Sequence, residues 1–160
     1  RFHDAHLQGV EPVADIEVRA SQLRGIHINP ENVPLAIDEL PVLLVAAACA
    51  DGVTTLNGAA ELRVKESDRL QSMAAGLRVL GVGVETWEDG MQVTGSGRLT
   101  GGTVDAAGDH RIAMAFAVAG LRATAPIHIR DCRNVDTSFP GFASAARTAG
   151  LSIDSVEGAP

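Results

Sequence analysis

One order of secondary-structure elements occurs twice along this chain, and this repetition limits the possible folds more than any other feature. Over residues 38–84 the sequence predicts a helix, a strand, a long loop, a helix, a glycine and a strand. The same order is predicted over residues 109–153. Two copies of one α/β unit can pack so that each covers the sheet face of the other. The sequence therefore predicts an α/β fold of repeated units.

Capping residues and apolar spacing place the individual elements. The predicted strands are 15–20, 53–56, 82–86, 91–94, 127–130 and 151–153. The first two predicted helices are 38–50, with Pro41 in its first turn, and a helix that is capped by Ser67 or Asp68 and ended by Gly81. Asp109 opens the third helix, and Thr137 and Ser138 cap a fourth that has Pro140 in its first turn and Gly150 at its end. Residues 1–14 show no clear pattern, and 95–102 is predicted to be a glycine-rich loop. We expect one partial domain over 1–153 and a disordered tail over 154–160.

Charge and composition exclude several classes of function. The formal net charge is −7 and the pI is about 5.1, whereas a nucleic-acid-binding domain usually has a basic surface. The longest apolar run, residues 40–50, is shorter than the roughly 20 residues that span a membrane. Cys49 and Cys132 do not make a disulfide framework, so a reducing compartment is expected. We expect a cytoplasmic protein that binds neither nucleic acid nor membrane.

Charged residues cluster at three of the predicted helix starts. Asp38, Asp68 and Asp109 open these helices, and capping alone would account for all three because Asp is a common N-cap. Arg69 and Arg111 are different. A cation at a helix N-terminus opposes the helix dipole, at a cost of about 0.3–1 kcal/mol. The two arginines are therefore better explained if an anion binds at these helix starts, where backbone N–H groups are free.

The residues beside these arginines suggest proton transfer. Lys65, Glu66 and Arg69 share one helix face if the helix begins early. A carboxylate beside two cations stays ionised more readily, and it can accept or return a proton near a bound anion. His110 beside Arg111 is a second titratable group. The pattern thus predicts anion binding together with acid–base chemistry.

The other candidates have weaker support. His3 and His6 lack the additional ligands that a metal site needs, so no metal site is expected. His27 and His128 lie in strand-like stretches and are interpreted as structural or surface residues. The glycines of the loop at 95–102 do not connect a strand to a helix, so no dinucleotide or phosphate loop is predicted.

Five segments of the chain are similar to one enzyme family. They are EPVADIEVRA at 11–20, IDELP at 37–41, ELRVKESDRL at 61–70, GDHRIAM at 108–114 and TSFPGF at 137–142. The combination of ELRVKESDR and GDHRIAM is highly specific, and the similarity runs from about residue 10 to residue 153. The chain resembles the C-terminal domain of the 5-enolpyruvylshikimate-3-phosphate synthase family.

The resemblance implies a fold and a reaction. The fold is the inside-out α/β barrel type of the enolpyruvyl transferases, with two repeated units and part of a third. The reaction transfers the enolpyruvyl group of phosphoenolpyruvate to the 5-hydroxyl of shikimate 3-phosphate and releases phosphate, through a tetrahedral ketal-phosphate. It belongs to the shikimate pathway of aromatic amino-acid biosynthesis, is the target of glyphosate, and needs no metal or organic cofactor.

The resemblance also implies roles for residues at the matching motif positions. Asp38 would hold the 5-hydroxyl and take its proton, and Lys65 would be a cation near that hydroxyl and the intermediate. Glu66 would handle the proton on the methylene carbon of phosphoenolpyruvate. Arg69 and Arg111 would bind the carboxylate and phosphate region of the same substrate.

A further match and two departures complete the comparison with the family motifs. His110 is similar to a family histidine beside the site. Thr137 stands where some members carry a lysine near the phosphate of phosphoenolpyruvate, and Glu61 stands where some have asparagine. The family also has an N-terminal domain that holds shikimate phosphate, which this sequence does not match. The expected partners are therefore the two substrates and that N-terminal domain.

Three other interpretations fit parts of the pattern. A UDP-sugar enolpyruvyl transferase would share the architecture, but the motifs fit the shikimate enzyme better. A non-catalytic anion-binding module would keep the arginines and would need neither Asp38 nor Glu66. A structural domain with solvated charges at its helix starts would bind no anion.

The unmatched N-terminal domain leads to a prediction for the chain alone. We expect no enolpyruvyl transfer by the isolated chain, because half of the contacts that orient the substrates are missing. The measurement is phosphate release from phosphoenolpyruvate in the presence of shikimate 3-phosphate. Robust turnover by the purified chain would refute this expectation.

Overall fold

The computed structural model describes residues 1–156, and the predicted α/β class is confirmed. The strands are β1 Phe2–Gln8, β2 Glu11–Ile16, β3 Asp51–Leu56, β4 Gly83–Trp87, β5 Gly90–Ser96, β6 Gly102–Asp105 and β7 Ile127–Arg130. The helices are α1 Leu40–Ala48, α2 Arg69–Val79, α3 His110–Ala119, α4 Asn134–Ser138 and α5 Phe142–Thr148. Short 3-10 helices lie at Pro30–Asn32, Pro34–Ala36 and Ala60–Val64.

The strands of the first repeated unit and the following strand β5 form an antiparallel sheet of three strands. β5 lies between β3 and β4, and Val93 of β5 is opposite both Thr54 and Val84. Helices α1 and α2 pack against this sheet through apolar side chains that are almost fully buried. Asp68 caps α2, since its carboxylate accepts a hydrogen bond from the backbone N–H of Gln71 at 2.9 Å. One of the two predicted caps is thus confirmed.

Helix α1 begins later than predicted. The sequence indicates a start at Asp38, whereas the regular helix begins at Leu40. The preceding residues form a 3-10 helix and turns, in which the backbone N–H groups of Ala36 and Glu39 donate to carbonyls three residues earlier. Pro41 lies in the first turn as predicted, where its missing N–H leaves no hydrogen bond unmade. Asp38 is consequently in a turn before the helix.

The second unit contains β7 and helices α3, α4 and α5, and β6, which precedes the unit, pairs with β7 in parallel. β6 lies beside β7, with Val104 opposite Ile129. Asp109 caps α3 as predicted, because its carboxylate accepts from the backbone N–H groups of Arg111 and Ile112. The prediction of a loop over 95–102 is wrong at both ends: β5 continues to residue 96 and β6 begins at residue 102. β6 is short and pairs with a strand far along the chain, so no local pattern indicates it.

Two predictions at the start of the chain are wrong. Residues 1–14, which show no pattern in the sequence, form most of an antiparallel hairpin of β1 and β2. The strand predicted over 15–20 ends at Ile16. Every residue of β1 is exposed, so the apolar–polar alternation of a half-buried strand is missing there.

The end of the second unit also differs from expectation. Thr137 and Ser138 lie within α4 and do not cap the last helix. Gly141 precedes α5 instead, with a left-handed φ of +81° that suits glycine, and Pro140 lies before that helix. Residues 151–153 do not form the predicted strand. Of the tail predicted over 154–160, residues 157–160 lie outside the described part of the chain.

The two units share one apolar core. Helix α3 of the second unit contacts both α1 and α2 of the first. Phe116 is fully buried against α2. A Cβ atom built on Gly76 of that helix would lie 2.1 Å from the Cζ atom of Phe116. Gly81 and Gly150, the predicted helix ends, have φ values of +82° and +95°. The matching glycines and the order of helix, strand and helix support the predicted repeat.

Within residues 1–156, no helix has the length and apolar character needed to cross a bilayer.

The close approach of α2 and α3 gives a test of the shared core. We expect Gly76→Ala to lower the free energy of unfolding by about 1–2 kcal/mol, because overpacking a buried contact outweighs the better helix propensity of alanine. Urea denaturation measures this difference.

Phe116→Leu should relieve the clash, so the two substitutions together should lower the free energy of unfolding by less than the sum of their separate effects. Gln71→Ala, on the exposed face of α2, is the matched control, and a more stable Gly76→Ala chain would contradict the packing described.

Candidate active site

The three charge clusters predicted from the sequence meet in the folded chain. They lie at the N-terminal ends of α1, α2 and α3, which the shared core places side by side. The residues that contact one another there are Asp38, Glu39, Glu66, Ser67, Arg69, Asp109 and Arg111. Lys65 lies next to Glu66 in the segment before α2.

Arg69 is the centre of this cluster. Its side chain is only 1% exposed. Nε donates to Asp109 Oδ2 at 2.7 Å, and Nη1 donates to Asp38 Oδ1 at 2.8 Å. Nη2 donates to Glu66 Oε2 at 2.5 Å. These three carboxylates balance the buried positive charge, which would otherwise be costly to remove from water.

Asp109 is the most deeply buried of the three carboxylates. Its side chain is 0% exposed. Oδ1 accepts hydrogen bonds from the backbone N–H of Arg111 at 2.9 Å and of Ile112 at 3.4 Å. Oδ2 accepts from Arg69 and from the Ser67 hydroxyl at 3.1 Å. One carboxylate therefore caps α3 and also holds the arginine at the start of α2.

Asp38 lies between two arginines and remains open to solvent. Arg69 binds Oδ1, as described, and Arg111 Nη2 lies 3.3 Å from Oδ2. Arg111 Nη1 donates to the backbone oxygen of Asp38 at 3.1 Å and lies 3.4 Å from Glu39 Oε1. The Asp38 side chain is 40% exposed. It is thus held on both sides and can still contact a ligand.

The cluster as a whole carries more acidic than basic side chains. Lys65 forms an ion pair with Glu61. In all, five carboxylates face three cations: Asp38, Glu39, Glu61, Glu66 and Asp109 against Lys65, Arg69 and Arg111. An incoming anion therefore has to replace a carboxylate on one of the more accessible cations, Arg111 or Lys65.

The network shifts the protonation of its members. The hydrogen bond from Arg69 is the largest cause that lowers the pKa of Asp38; partial burial opposes it, and the charge of Arg111 adds to it. Burial raises the pKa of Asp109, but the hydrogen bond and charge of Arg69 outweigh this and leave the pKa below its usual value. Burial likewise lowers the pKa of Arg69, and its hydrogen bonds to Asp109 and Asp38 reverse the effect. Both carboxylates are therefore ionised at neutral pH.

The structure brings most of the predicted site residues together, but it gives Arg69 a different role from the one predicted. Asp38, Glu66, Arg69 and Arg111 form one network, and Lys65 lies close enough to lower the pKa of Asp38 through its charge. The sequence suggests that Arg69 offers free donors to an anion. In the structure its Nε and both Nη atoms bind carboxylates, so Arg111 and Lys65 are the more accessible cations.

Some members of the network were not predicted as site residues. Asp109 is expected only as a helix cap, and Ser67 only as an alternative cap, yet both bind in the network around Arg69. Glu39 contacts Arg111 and was expected only at the start of the first helix. No local signal identifies Asp109 as a partner of Arg69, because the two residues lie 40 positions apart in the chain. His110 begins α3 and is partly exposed.

The remaining histidines lie elsewhere, as expected of structural or surface residues. His3 contacts Glu17 at 3.2 Å within the hairpin, and His27 contacts the Thr55 hydroxyl beside β3. His128 is exposed on β7. Over residues 1–156, no three His, Cys, Asp or Glu side chains are grouped so that they could hold a metal ion.

The lowered pKa values predict how stability depends on pH. Asp38 and Asp109 bind fewer protons when folded than when unfolded, so their contribution to stability is complete above about pH 4 and is lost as the pH falls through the folded pKa values. Arg69→Met should cost about 3–5 kcal/mol at neutral pH, because it leaves buried Asp109 unpaired. It should also weaken the acid dependence, since Arg69 is the main cause that lowers both pKa values and burial raises the pKa of Asp109. Urea denaturation at several pH values measures both effects.

The matched control is Arg78→Met, because Arg78 lies on the same helix and is exposed. That chain should keep the loss of stability at acid pH. An unchanged acid dependence in Arg69→Met would show that Arg69 does not determine the ionisation of the two carboxylates.

Comparison with known proteins relates this site to a family. The family described as EPSP synthase (3-phosphoshikimate 1-carboxyvinyltransferase) matches residues 4–145. A protein named 3-phosphoshikimate 1-carboxyvinyltransferase from Halorhodospira halophila is 60% identical over 146 residues, which cover 91% of this chain and 33% of that protein. The protein of the same name from Nitrosococcus oceani is 61% identical over 152 residues, covering 95% and 34%.

The fold comparison agrees with the sequence comparison. The structure of EPSP synthase from Acinetobacter baumannii superimposes with a TM-score of 0.92 at 48% identity, and the match covers 96% of this chain and 36% of that one. The chain spans about a third of the length of these relatives. The repeated α/β units, the motifs at the helix starts and the family match lead to one conclusion: the chain belongs to the EPSP synthase (3-phosphoshikimate 1-carboxyvinyltransferase) family.

Proposed function

We propose that this chain is the C-terminal part of an enzyme that transfers the enolpyruvyl group of phosphoenolpyruvate to the 5-hydroxyl of shikimate 3-phosphate. The observation that carries the proposal is the environment of Asp38. Its carboxylate is ionised and 40% exposed, with Arg69 at 2.8 Å on one oxygen and Arg111 at 3.3 Å on the other. The names of the relatives described above support the same reaction.

In this proposal Asp38 accepts the proton of the substrate hydroxyl. The hydroxyl oxygen then forms a bond to the central carbon of phosphoenolpyruvate while the methylene carbon gains a proton from Glu66. In the second half the methyl group returns a proton to Glu66, the bond between carbon and phosphate oxygen breaks to leave the enol ether, and the proton held by Asp38 leaves with the released phosphate. Glu66 is suited to this exchange because one oxygen is held by Arg69 at 2.5 Å and the side chain is 49% exposed.

The accessible cations are proposed to bind the anionic groups of the substrates. Arg111 is 32% exposed and Lys65 is 25% exposed, and each is paired with an exposed glutamate that a ligand can replace. Arg69 orients Asp38 and Glu66, and its direct contact with phosphoenolpyruvate requires Glu66 to release Nη2. His110 is proposed to lie beside this group at the start of α3.

The proposed site is incomplete within this chain. The relatives are about three times as long, and we propose that their N-terminal domain supplies the contacts to shikimate 3-phosphate. Thr137, at the position where some family members have lysine, is exposed on α4 and offers no cation to the phosphate. Both cysteines are free, as fits the proposed location in the reducing cytoplasm.

A complementation assay tests the proposal. The chain is mixed with the separately produced N-terminal part of the Halorhodospira halophila relative, and phosphate release from phosphoenolpyruvate and shikimate 3-phosphate is measured. We expect activity only in the mixture. Asp38→Asn and Glu66→Gln should each lower kcat by about 10²–10⁴-fold, because each removes a group that transfers a proton.

Glu85→Gln is the matched control, since Glu85 is an exposed acid on β4 outside the charge cluster. It should leave the activity of the mixture unchanged. If both parts fold and bind each other but the mixture releases no phosphate, the proposed function is wrong and the anion-binding module becomes the better account. Retained activity in the Asp38→Asn and Glu66→Gln mixtures would refute the assigned proton transfers.

A further inference from the structure

The three carboxylates on Arg69 differ sharply in exposure. The side chains of Asp38 and Glu66 are 40% and 49% exposed, whereas that of Asp109 is 0% exposed. Asp109 therefore cannot reach a substrate on the open side of the cluster. Its role in any reaction must be exerted through the groups that it contacts.

Asp109 fixes the orientation of the guanidinium. Its Oδ2 accepts from Arg69 Nε at 2.7 Å, and Oδ1 lies 3.4 Å from Nη2, so one edge of the planar group is held. The Ser67 hydroxyl and two backbone N–H groups of α3 hold the carboxylate itself. With that edge fixed, Nη1 and Nη2 point at Asp38 and Glu66.

Asp109 also takes up part of the charge of Arg69. The charged groups that face this arginine or its carboxylate partners come from all three helix starts: Asp38 and Glu39 before α1, Lys65 and Glu66 before α2, and Asp109 and Arg111 at α3, with Glu61 on Lys65. Without a charge at position 109, the buried cation would be balanced by Asp38 and Glu66 alone. Carboxylates bound more strongly by a cation are weaker bases.

We propose that Asp109 is a positioning residue of the proton-transfer site, which holds Arg69 and shares its charge so that Asp38 and Glu66 are oriented and remain able to exchange protons. This inference deepens the proposed function and rests on it. No role for Asp109 beyond capping α3 follows from the sequence motifs, and the cap uses only one of its two oxygens.

The test begins with Asp109→Asn in the complete chain. Asparagine keeps the shape of the side chain and an oxygen that can cap α3, but it removes the negative charge. The titration of the Asp38 carboxyl is followed by carbon-detected NMR. We expect the pKa of Asp38 to fall below its value in the unaltered chain, because Arg69 then interacts more strongly with Asp38. A residue that only stabilises the fold would lower the unfolding free energy and leave the kcat of the folded chain in the complementation mixture unchanged.

The second measurement uses the complementation mixture described above. Asp109→Asn should lower kcat about tenfold or more while KM for both substrates stays within about threefold, since the loss falls on proton transfer and not on substrate binding. The low-pH limb of the rate profile should move to lower pH together with the Asp38 titration. Asp109→Ser, which also keeps a good N-cap and removes the charge, should likewise lower kcat.

Two control variants separate this role from capping and from hydrogen bonding. Asp68→Asn removes the charge of the residue that caps α2 and pairs with Arg63, outside the network, and it should leave kcat unchanged. Ser67→Ala removes one hydrogen bond to the same Asp109 oxygen without changing any charge, so the Asp38 titration should stay in place.

The outcomes distinguish the inference from the function on which it rests. An inactive mixture of unaltered parts that fold and bind each other refutes the proposed function. An active mixture in which Asp109→Asn keeps both its kcat and the Asp38 titration refutes the positioning role. If Asp109→Asn and Asp109→Ser both fail to fold while Asp68→Asn folds, the role is also refuted, because Asp109 then serves stability alone.

Discussion

The buried charge of Arg69 is the constraint on which the arrangement of this chain depends. A guanidinium that is 1% exposed is stable only if nearby carboxylates replace the water that it has lost. Asp38 and Asp109 meet this need from positions 31 and 40 residues away in the chain, and Glu66 meets it from the adjacent turn. The starts of α1, α2 and α3, which the shared core places side by side, therefore all supply a carboxylate that balances this single charge or the arginine itself.

The same network sets the chemistry that the open face can support. Because Arg69 and Arg111 stabilise its charged form, Asp38 is a carboxylate with a lowered pKa that stays in contact with solvent. The two more accessible cations, Lys65 and Arg111, pair with the exposed side chains of Glu61 and Glu39. A ligand with carboxylate or phosphate groups can replace these partners without exposing the buried ion pairs.

The repeated architecture makes this convergence possible. Both units place a helix before a strand, and α3 packs against α1 and α2 in one core. Helices that share a core in this way bring their free N–H groups and capping residues together, which favours the binding of anions between them. The glycine at position 76 allows α2 to approach Phe116 closely, and so the packing of the core and the geometry of the site are linked.

The sequence by itself determined the elements with strong local signals and the chemistry of their starts. Apolar spacing and capping by Asp68 and Asp109 placed α2 and α3, and the unfavourable position of Arg69 and Arg111 against the helix dipole indicated an anionic partner. Only the tertiary structure showed that the anions around Arg69 are carboxylates of the chain itself, and that Asp109 serves both the cap and the arginine. Likewise β6, whose partner lies in a distant part of the chain, and β1 and β2, whose exposed residues do not alternate, were not predictable. The physical reason is the same in each case: local propensities are written in neighbouring residues, whereas burial and ion pairing depend on contacts between segments that only the folded chain brings together.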